Sequence, residues 1–361
     1  MAEVQVSGWR ELVAESGAPR PHASRRTDVV TTVLSVWFVL GLFLDAYAHA
    51  NVPQLESFFT PWHAVFYSGF AATGGWVLWT VYRNSEQGRR GISAVPLGYG
   101  MTMVALPVFA VSGAADMAWH TIFGVETTTD IFFSPSHLGL IASMIVILTS
   151  PFRSAWSNPA LGARPSLRAL APAVWTLAFA ATLVLLFLTY GNALLFGPQG
   201  IVSAFSDPEG RASTLAVRMV VTNLVLLVPL LVIARRWHLP FGVATISYAP
   251  AVVLSGLLTG FHNLPTMGAL AAAAVLVDLL GRWLRPTAER RTAYWAFATG
   301  ASLITWTIYL GVAAGFAGRL PSVAAMWTGA PVVAALLGWV LAALLLPNAA
   351  PPSRREGSFP G

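Results

Sequence analysis

Two stretches of the chain carry the same arrangement of carboxylate and imidazole groups. In the first, Asp45 and His49 are followed by Phe58-Phe59-Thr60-Pro61-Trp62-His63. In the second, Asp116 and His120 are followed by Phe132-Phe133-Ser134-Pro135-Ser136-His137. Both read D-x3-H, a short loop, then F-F-[ST]-P-x-H. Carboxylate oxygen and imidazole nitrogen suit a divalent transition metal, and imidazole favours copper, zinc, iron and nickel. The chain has no cysteine, which removes thiolate ligands, disulfides and cysteine nucleophiles.

The spacing says how these groups meet. Residues four apart share a helix face, so each D-x3-H presents its two side chains together. Thr60 and Ser134 are good N-cap residues, and Pro61 and Pro135 suit the first helical position. His63 and His137 then fall in the first turn of a returning helix. Each helical hairpin gathers one carboxylate and two imidazoles, giving Asp45, His49, His63 and Asp116, His120, His137 as candidate metal ligands. A duplicated helix-cap device, with no metal, is the plainer alternative. His262 and Asn263 fall at the same predicted membrane face and are candidate extra ligands or partners of the ligands. So are the loop acids Glu56, Glu126 and Asp130, for which an ordinary wet loop is the simpler expectation.

The elements that must position these groups are membrane helices. Hydrophobic residues make up 56% of the 361-residue chain and charged residues only 10%, against roughly 25% charged in soluble domains. A mean hydropathy of +0.65 spreads that surplus over the whole length. A bilayer core needs about 20 apolar residues per helix. Spans are predicted near 29–49, 61–82, 95–120, 135–152, 169–192, 214–234, 241–260, 265–281, 293–315 and 325–346. The seventh and eighth are short and could form a broken pair around Gly260–Pro265. The fold class is therefore all-α: a polytopic membrane bundle of about ten helices, with a duplicated two-helix hairpin in its first four spans.

Arginine sets the orientation. The chain has no lysine, and its 21 basic residues are all arginine. With both termini cytoplasmic, every arginine except Arg211, Arg218 and Arg319 falls inside, as the positive-inside rule requires. The candidate ligands then lie at the extracytoplasmic edge of the plasma membrane. The pI near 10.2 reflects these loop arginines, so no nucleic-acid partner is expected. Residues 1–28 lack an apolar signal-peptide core and read as a cytoplasmic tail. Residues 29–152 hold the two hairpins, 153–346 the remaining six spans, and 347–361 a disordered cytoplasmic tail. Asp278, four residues before Arg282, is expected to form a helix-face ion pair.

The second copy resembles the metal-binding segment found in one membrane component of the copper membrane monooxygenases, the family of particulate methane and ammonia monooxygenases. The residues that carry the resemblance are Asp116, Trp119, His120, Phe133, Ser134, Pro135, Ser136 and His137, about 25 residues of the chain. The loop between His120 and His137 is longer than that family's. His262 and Asn263 match its second metal position in kind but not in spacing. The resemblance implies copper ligation by Asp116, His120 and His137, a monooxygenase-like oxidoreductase activity on a small apolar substrate, and partner subunits. The residues alone leave zinc or iron open in place of copper. They also leave open a metal-transport or metal-delivery protein, a zinc-dependent membrane hydrolase and a purely structural metal site.

Overall fold

A computed structural model describes residues 17–52, 58–124, 129–207 and 210–346. Glu56 and Glu126 lie outside the described residues, as do the Asp130 side chain and the tail 347–361. The described residues form helices and loops, with no strand among them. In chain order the helices are α1 (Arg25–Asn51), α2 (Pro61–Glu86), α3 (Gly100–Phe123), α4 (Pro135–Leu148), α5 (Ser150–Ser157) and α6 (Leu167–Phe187). They continue with α7 (Pro198–Ala204), α8 (Arg211–Arg236), α9 (Val243–Leu258), α10 (Leu264–Leu284), α11 (Arg291–Ala317) and α12 (Ala324–Leu345).

Eight helical stretches among the described residues are long and apolar enough to cross a membrane, α4 and α5 together making one. The expected second and seventh spans are helices but not among those eight. At 26 residues α2 is long enough, yet it carries His63, Thr73, Gly74, Gly75, Thr80, Arg83 and Asn84, which dilute its hydropathy. At 16 residues α9 spans only about 24 Å, short of a hydrocarbon core of about 30 Å. Large apolar side chains such as Val104, Val111, Leu336 and Leu344 lie exposed on the outer faces. Soluble proteins rarely leave so much continuous apolar surface in water; a lipid surround accounts for it.

The first four long helices form one packed unit. Gly41 of α1 faces the Phe66 backbone, and Gly69 of α2 faces the Phe38 backbone. An added Cβ would sit 2.8 Å and 2.6 Å from those Cα atoms, so the two glycines let α1 and α2 approach at backbone distance. Phe38 and Phe109, each seven residues before its aspartate, meet edge to face with centroids 5.2 Å apart. Phe66 and Phe70 complete this aromatic core. A second core joins α6 to α8–α12 around Trp237, Tyr294 and Trp306.

Helices α9 and α10 form an antiparallel pair turning at residues 259–263, with Gly260 and Phe261 in the left-handed region. Asp278 holds this pair. Its carboxylate accepts hydrogen bonds from the Ala244 and Thr245 amides at 2.8 and 3.0 Å and from the Thr245 hydroxyl at 2.7 Å. The ion pair with Arg282 expected from their spacing is replaced by this cap, because Asp278 is buried beneath the start of α9.

Candidate metal centre

The C-terminal ends of α1 and α3 meet the N-terminal ends of α2 and α4 at one end of the bundle. The returning helices start as their sequences require. Thr60 and Ser134 are the N-caps, with a proline following each, and they accept hydrogen bonds from the His63 and His137 amides at 3.1 and 3.4 Å. Capping fixes the first turn, and the first turn aims the two imidazoles inward. The Phe-Phe pairs divide their labour the same way in both copies. Phe58 stacks on His63 with centroids 4.7 Å apart and Phe132 lines the cavity, while Phe59 and Phe133 point outward.

All six candidate ligands converge. Asp45 lies 3.8 Å from His49 Nε2 and 3.5 Å from His63 Nε2. Asp116 lies 3.7 Å from His120 Nε2 and 3.0 Å from His137 Nε2. The two hairpins form a single cluster, since the His49 and His120 rings stack 5.9 Å apart and His63 lies 6.0 Å from His120. The ligand atoms of Asp116, His120 and His137 lie within 4.8 Å of one another. Those of His49, His63 and His120 do so as well. His120 therefore belongs to two ligand sets, one within its hairpin and one across to the other. The sequence suggested a separate triplet in each hairpin, and the crossing by His120 could not be read from it.

Hydrogen bonds fix which nitrogen faces the centre. His63 Nδ1 is 2.6 Å from the Phe58 carbonyl, and His137 Nδ1 is 2.7 Å from the Ile131 carbonyl. A carbonyl only accepts, so each Nδ1 carries the hydrogen, and in a neutral ring Nε2 then carries a bare lone pair. At His137 that lone pair faces a carboxylate oxygen 3.0 Å away. Two acceptors at this distance repel unless a proton or a metal cation lies between them. Metal–ligand bonds of about 2.1 Å place neighbouring ligand atoms about 3.0–3.4 Å apart; the His137–Asp116 separation of 3.0 Å falls in that range, and the others, at 3.5–3.8 Å, need only a small inward shift to meet it. Donation of the second ring N–H to a carbonyl is also the habit of metal-bound histidine.

Charge points the same way. Asp45 and Asp116 are buried, at 8% and 1% exposure. Buried carboxylates are costly unless paired or hydrogen-bonded. The neighbours identified are the four imidazoles, the Ser136 hydroxyl at 3.1 Å from Asp116, and the Tyr67 hydroxyl, which reaches over Gly113 toward Asp116. Two carboxylates and four neutral imidazoles sum to the charge that one divalent cation cancels. The donor set is nitrogen and oxygen only, so it fits copper, zinc or iron. Beside the ligands lies an apolar cavity of about 50 Å³, walled by Leu42, Leu140, Met144, Leu186 and Phe187 among others.

His262 and Asn263 are employed elsewhere. His262 Nδ1 bonds the Thr259 carbonyl at 2.6 Å. The buried Asn263 donates to the Leu194 carbonyl at 2.5 Å and accepts from the Thr259 hydroxyl at 2.8 Å, which ties the α9–α10 turn to the segment before α7. Neither belongs to the two ligand sets. Residues that sequence reasoning passed over are Tyr67, Leu186 and Phe187, and it quoted Ser136 in the motif without giving it a role. Tyr67 stands four after His63, so the i,i+4 rule could have found it. Nothing local marks Leu186 and Phe187, which arrive from α6. Compared with protein-family models, with curated proteins and with solved structures, the chain matches none.

Proposed function

We propose that this chain is a plasma-membrane protein of ten spans with both termini cytoplasmic, built on a duplicated hairpin, whose cluster binds one divalent transition-metal ion. We further propose copper as the metal, and a monooxygenase-like oxidation of a small apolar substrate at the extracytoplasmic edge as the activity. The arginine asymmetry supports the orientation. The observation that carries the metal reading is the set of imidazole Nε2 atoms turned onto two buried carboxylates, with no other cation beside them among the described residues. Copper comes from the resemblance of Asp116, His120 and His137 to the monooxygenase segment, whose relatives also work with partner subunits.

Bound copper would supply redox chemistry with dioxygen. The residues would do the rest. His63 and His137, tethered through Nδ1, hold their Nε2 atoms in place. Ser136 steadies Asp116. Phe58 and Phe132 shield the ligands from water. The apolar cavity beside Met144 and Leu140 admits a molecule of a few heavy atoms and offers polar substrates little. Transport is less well supported. Below the cluster Phe38, Phe66 and Phe109 fill the interior with ring centroids 5.2–5.7 Å apart, an apolar block where transport needs polar groups along a path.

One observation favours a second reading. Three imidazoles with water in the fourth position form a catalytic zinc site, and His49, His63 and His120 supply such a set. This makes a zinc-dependent membrane hydrolase the alternative. The separating experiment is to purify the protein from membranes and measure metal identity together with its electron paramagnetic resonance spectrum. Stoichiometric copper that cycles between oxidation states supports the oxidoreductase. Tightly held zinc with no redox signal would exclude it in favour of the hydrolase.

A further inference from the structure

We infer that the end of the bundle opposite the metal cluster carries a second site, which binds a phosphate-bearing anion of at least two negative charges. This second site stands independently of the metal reading. Between the loop before α6, the α8–α9 connection and the end of α10 lies a cavity of about 430 Å³. Arg164, His238, Arg282 and Arg285 line it over an apolar floor of Leu239 and Pro240, and no carboxylate of the described residues lines it. Helix α6 begins beside this pocket and ends at Phe187 on the metal cavity. Its 21 residues put about 30 Å between the two sites.

The arginines of this pocket differ from three others at the same end of the bundle. Arg20 donates to the Val95 and Pro96 carbonyls, Arg153 donates to the Gly98 carbonyl, and Arg236 lies over Trp156 and Trp237. Those guanidiniums hold the fold. Arg164, Arg282 and Arg285 make no side-chain hydrogen bond, ion pair or ring contact among the described residues. Topology alone asks only that a loop be positive; it does not gather three unpartnered guanidiniums around one cavity.

The frame of the pocket is built. The His238 amide donates to the Ala163 carbonyl at 2.9 Å, joining two of its walls. Leu167 packs against Gly242 where α9 begins. Arg285 closes α10 in the left-handed region, at φ 49° and ψ 60°, a conformation that strains any side chain larger than glycine. The nearby carboxylates are already engaged. Asp278 caps α9. Glu289, which faces His238, is held below the usual carboxylate range by its own backbone amide and the Thr287 hydroxyl. Guanidinium forks recognise phosphate oxygens in pairs, and basic pockets between membrane helices receive acidic lipid headgroups. The shared chemistry is phosphate, supplied either by an acidic phospholipid or by a soluble phosphate.

Two arms test the site and separate the sources. Full-length protein in neutral detergent is titrated with pyrophosphate against a chloride control of equal ionic strength. In parallel, protein in nanodiscs of phosphatidylcholine mixed with cardiolipin is examined by native mass spectrometry for retained lipid. Binding in either arm is expected, and the arm that responds names the source. Each arginine removed should weaken it about tenfold, so that Arg164→Gln/Arg282→Gln/Arg285→Gly abolishes it, while Arg26→Gln, outside the pocket, leaves it unchanged. Arg285→Gly alone guards against misfolding, since it relieves the strained backbone and should keep thermal stability while losing affinity. Equal binding by the wild type and the triple variant overturns the proposal. So does a wild type with no preference for pyrophosphate over chloride and none for cardiolipin over phosphatidylcholine.

Discussion

His120 is the residue on which the cluster turns, and its replacement gives the sharpest prediction. It belongs both to the His49, His63, His120 set and to the Asp116, His120, His137 set. A neutral imidazole with Nδ1 protonated offers one lone pair, so His120 serves one ion at a time. His120→Ala leaves each set with two ligands. His63→Ala leaves the Asp116 set whole, and His137→Ala leaves the three-imidazole set whole. Four-ligand structural zinc sites gather about 10–16 kcal/mol of binding free energy, or about 3–4 kcal/mol per ligand. His120→Ala should therefore weaken metal binding by about 10²–10³-fold. Each outer substitution should cost about tenfold or less, because the ion can rest in the intact set. Competition against a chromophoric chelator, on variants first shown to be monodisperse, measures all three affinities. A His120→Ala protein that binds like wild type refutes the reasoning. Outer variants weaker than His120→Ala would refute it too, by showing two independent sites.

Three further outcomes follow from the same geometry. Ser136→Ala removes the 3.1 Å hydrogen bond to Asp116 and should lower metal affinity about tenfold; the same chelator competition reads it. Stripping the metal should lower the Tm, because the Asp45 and Asp116 charges lose their counter-ion; at a free metal concentration of about 100 times Kd the stabilisation is about 2.7 kcal/mol, readable by thermal melting with and without chelator. Gly69→Ala would drive a methyl group to 2.6 Å from the Phe38 Cα, where backbone must move, and should destabilise the α1–α2 pair by about 1–3 kcal/mol; Gly268→Ala, with open space around it, is the control.

Much of the site was legible because its determinants are local. The i,i+4 pairing of Asp45 with His49 and of Asp116 with His120 is a helical repeat distance, and the Thr60 and Ser134 caps follow from the Pro that comes after each. What the sequence hid is non-local. The crossing of His120 to the other hairpin depends on how closely α1 and α3 approach, which the Phe38–Phe109 contact sets. The walls from Leu186 and Phe187 depend on where α6 docks. Asp278 misled for a related reason: spacing suggested Arg282, but burial under α9 offered it two backbone amides. In the same way apolar runs located the helices, while α9 proved too short and α2 too polar to satisfy both measures of a span.

The central claim is that two hairpins hold one divalent ion through the histidine nitrogens of a ligand set that includes His120. Copper electron paramagnetic resonance of the purified, copper-loaded protein, with metal content determined on the same sample, tests it most directly. The account predicts one ion per chain and a spectrum split by several imidazole nitrogens, both lost in His120→Ala. A protein that retains no copper, zinc or iron after loading, or a copper spectrum without nitrogen splitting, would contradict it.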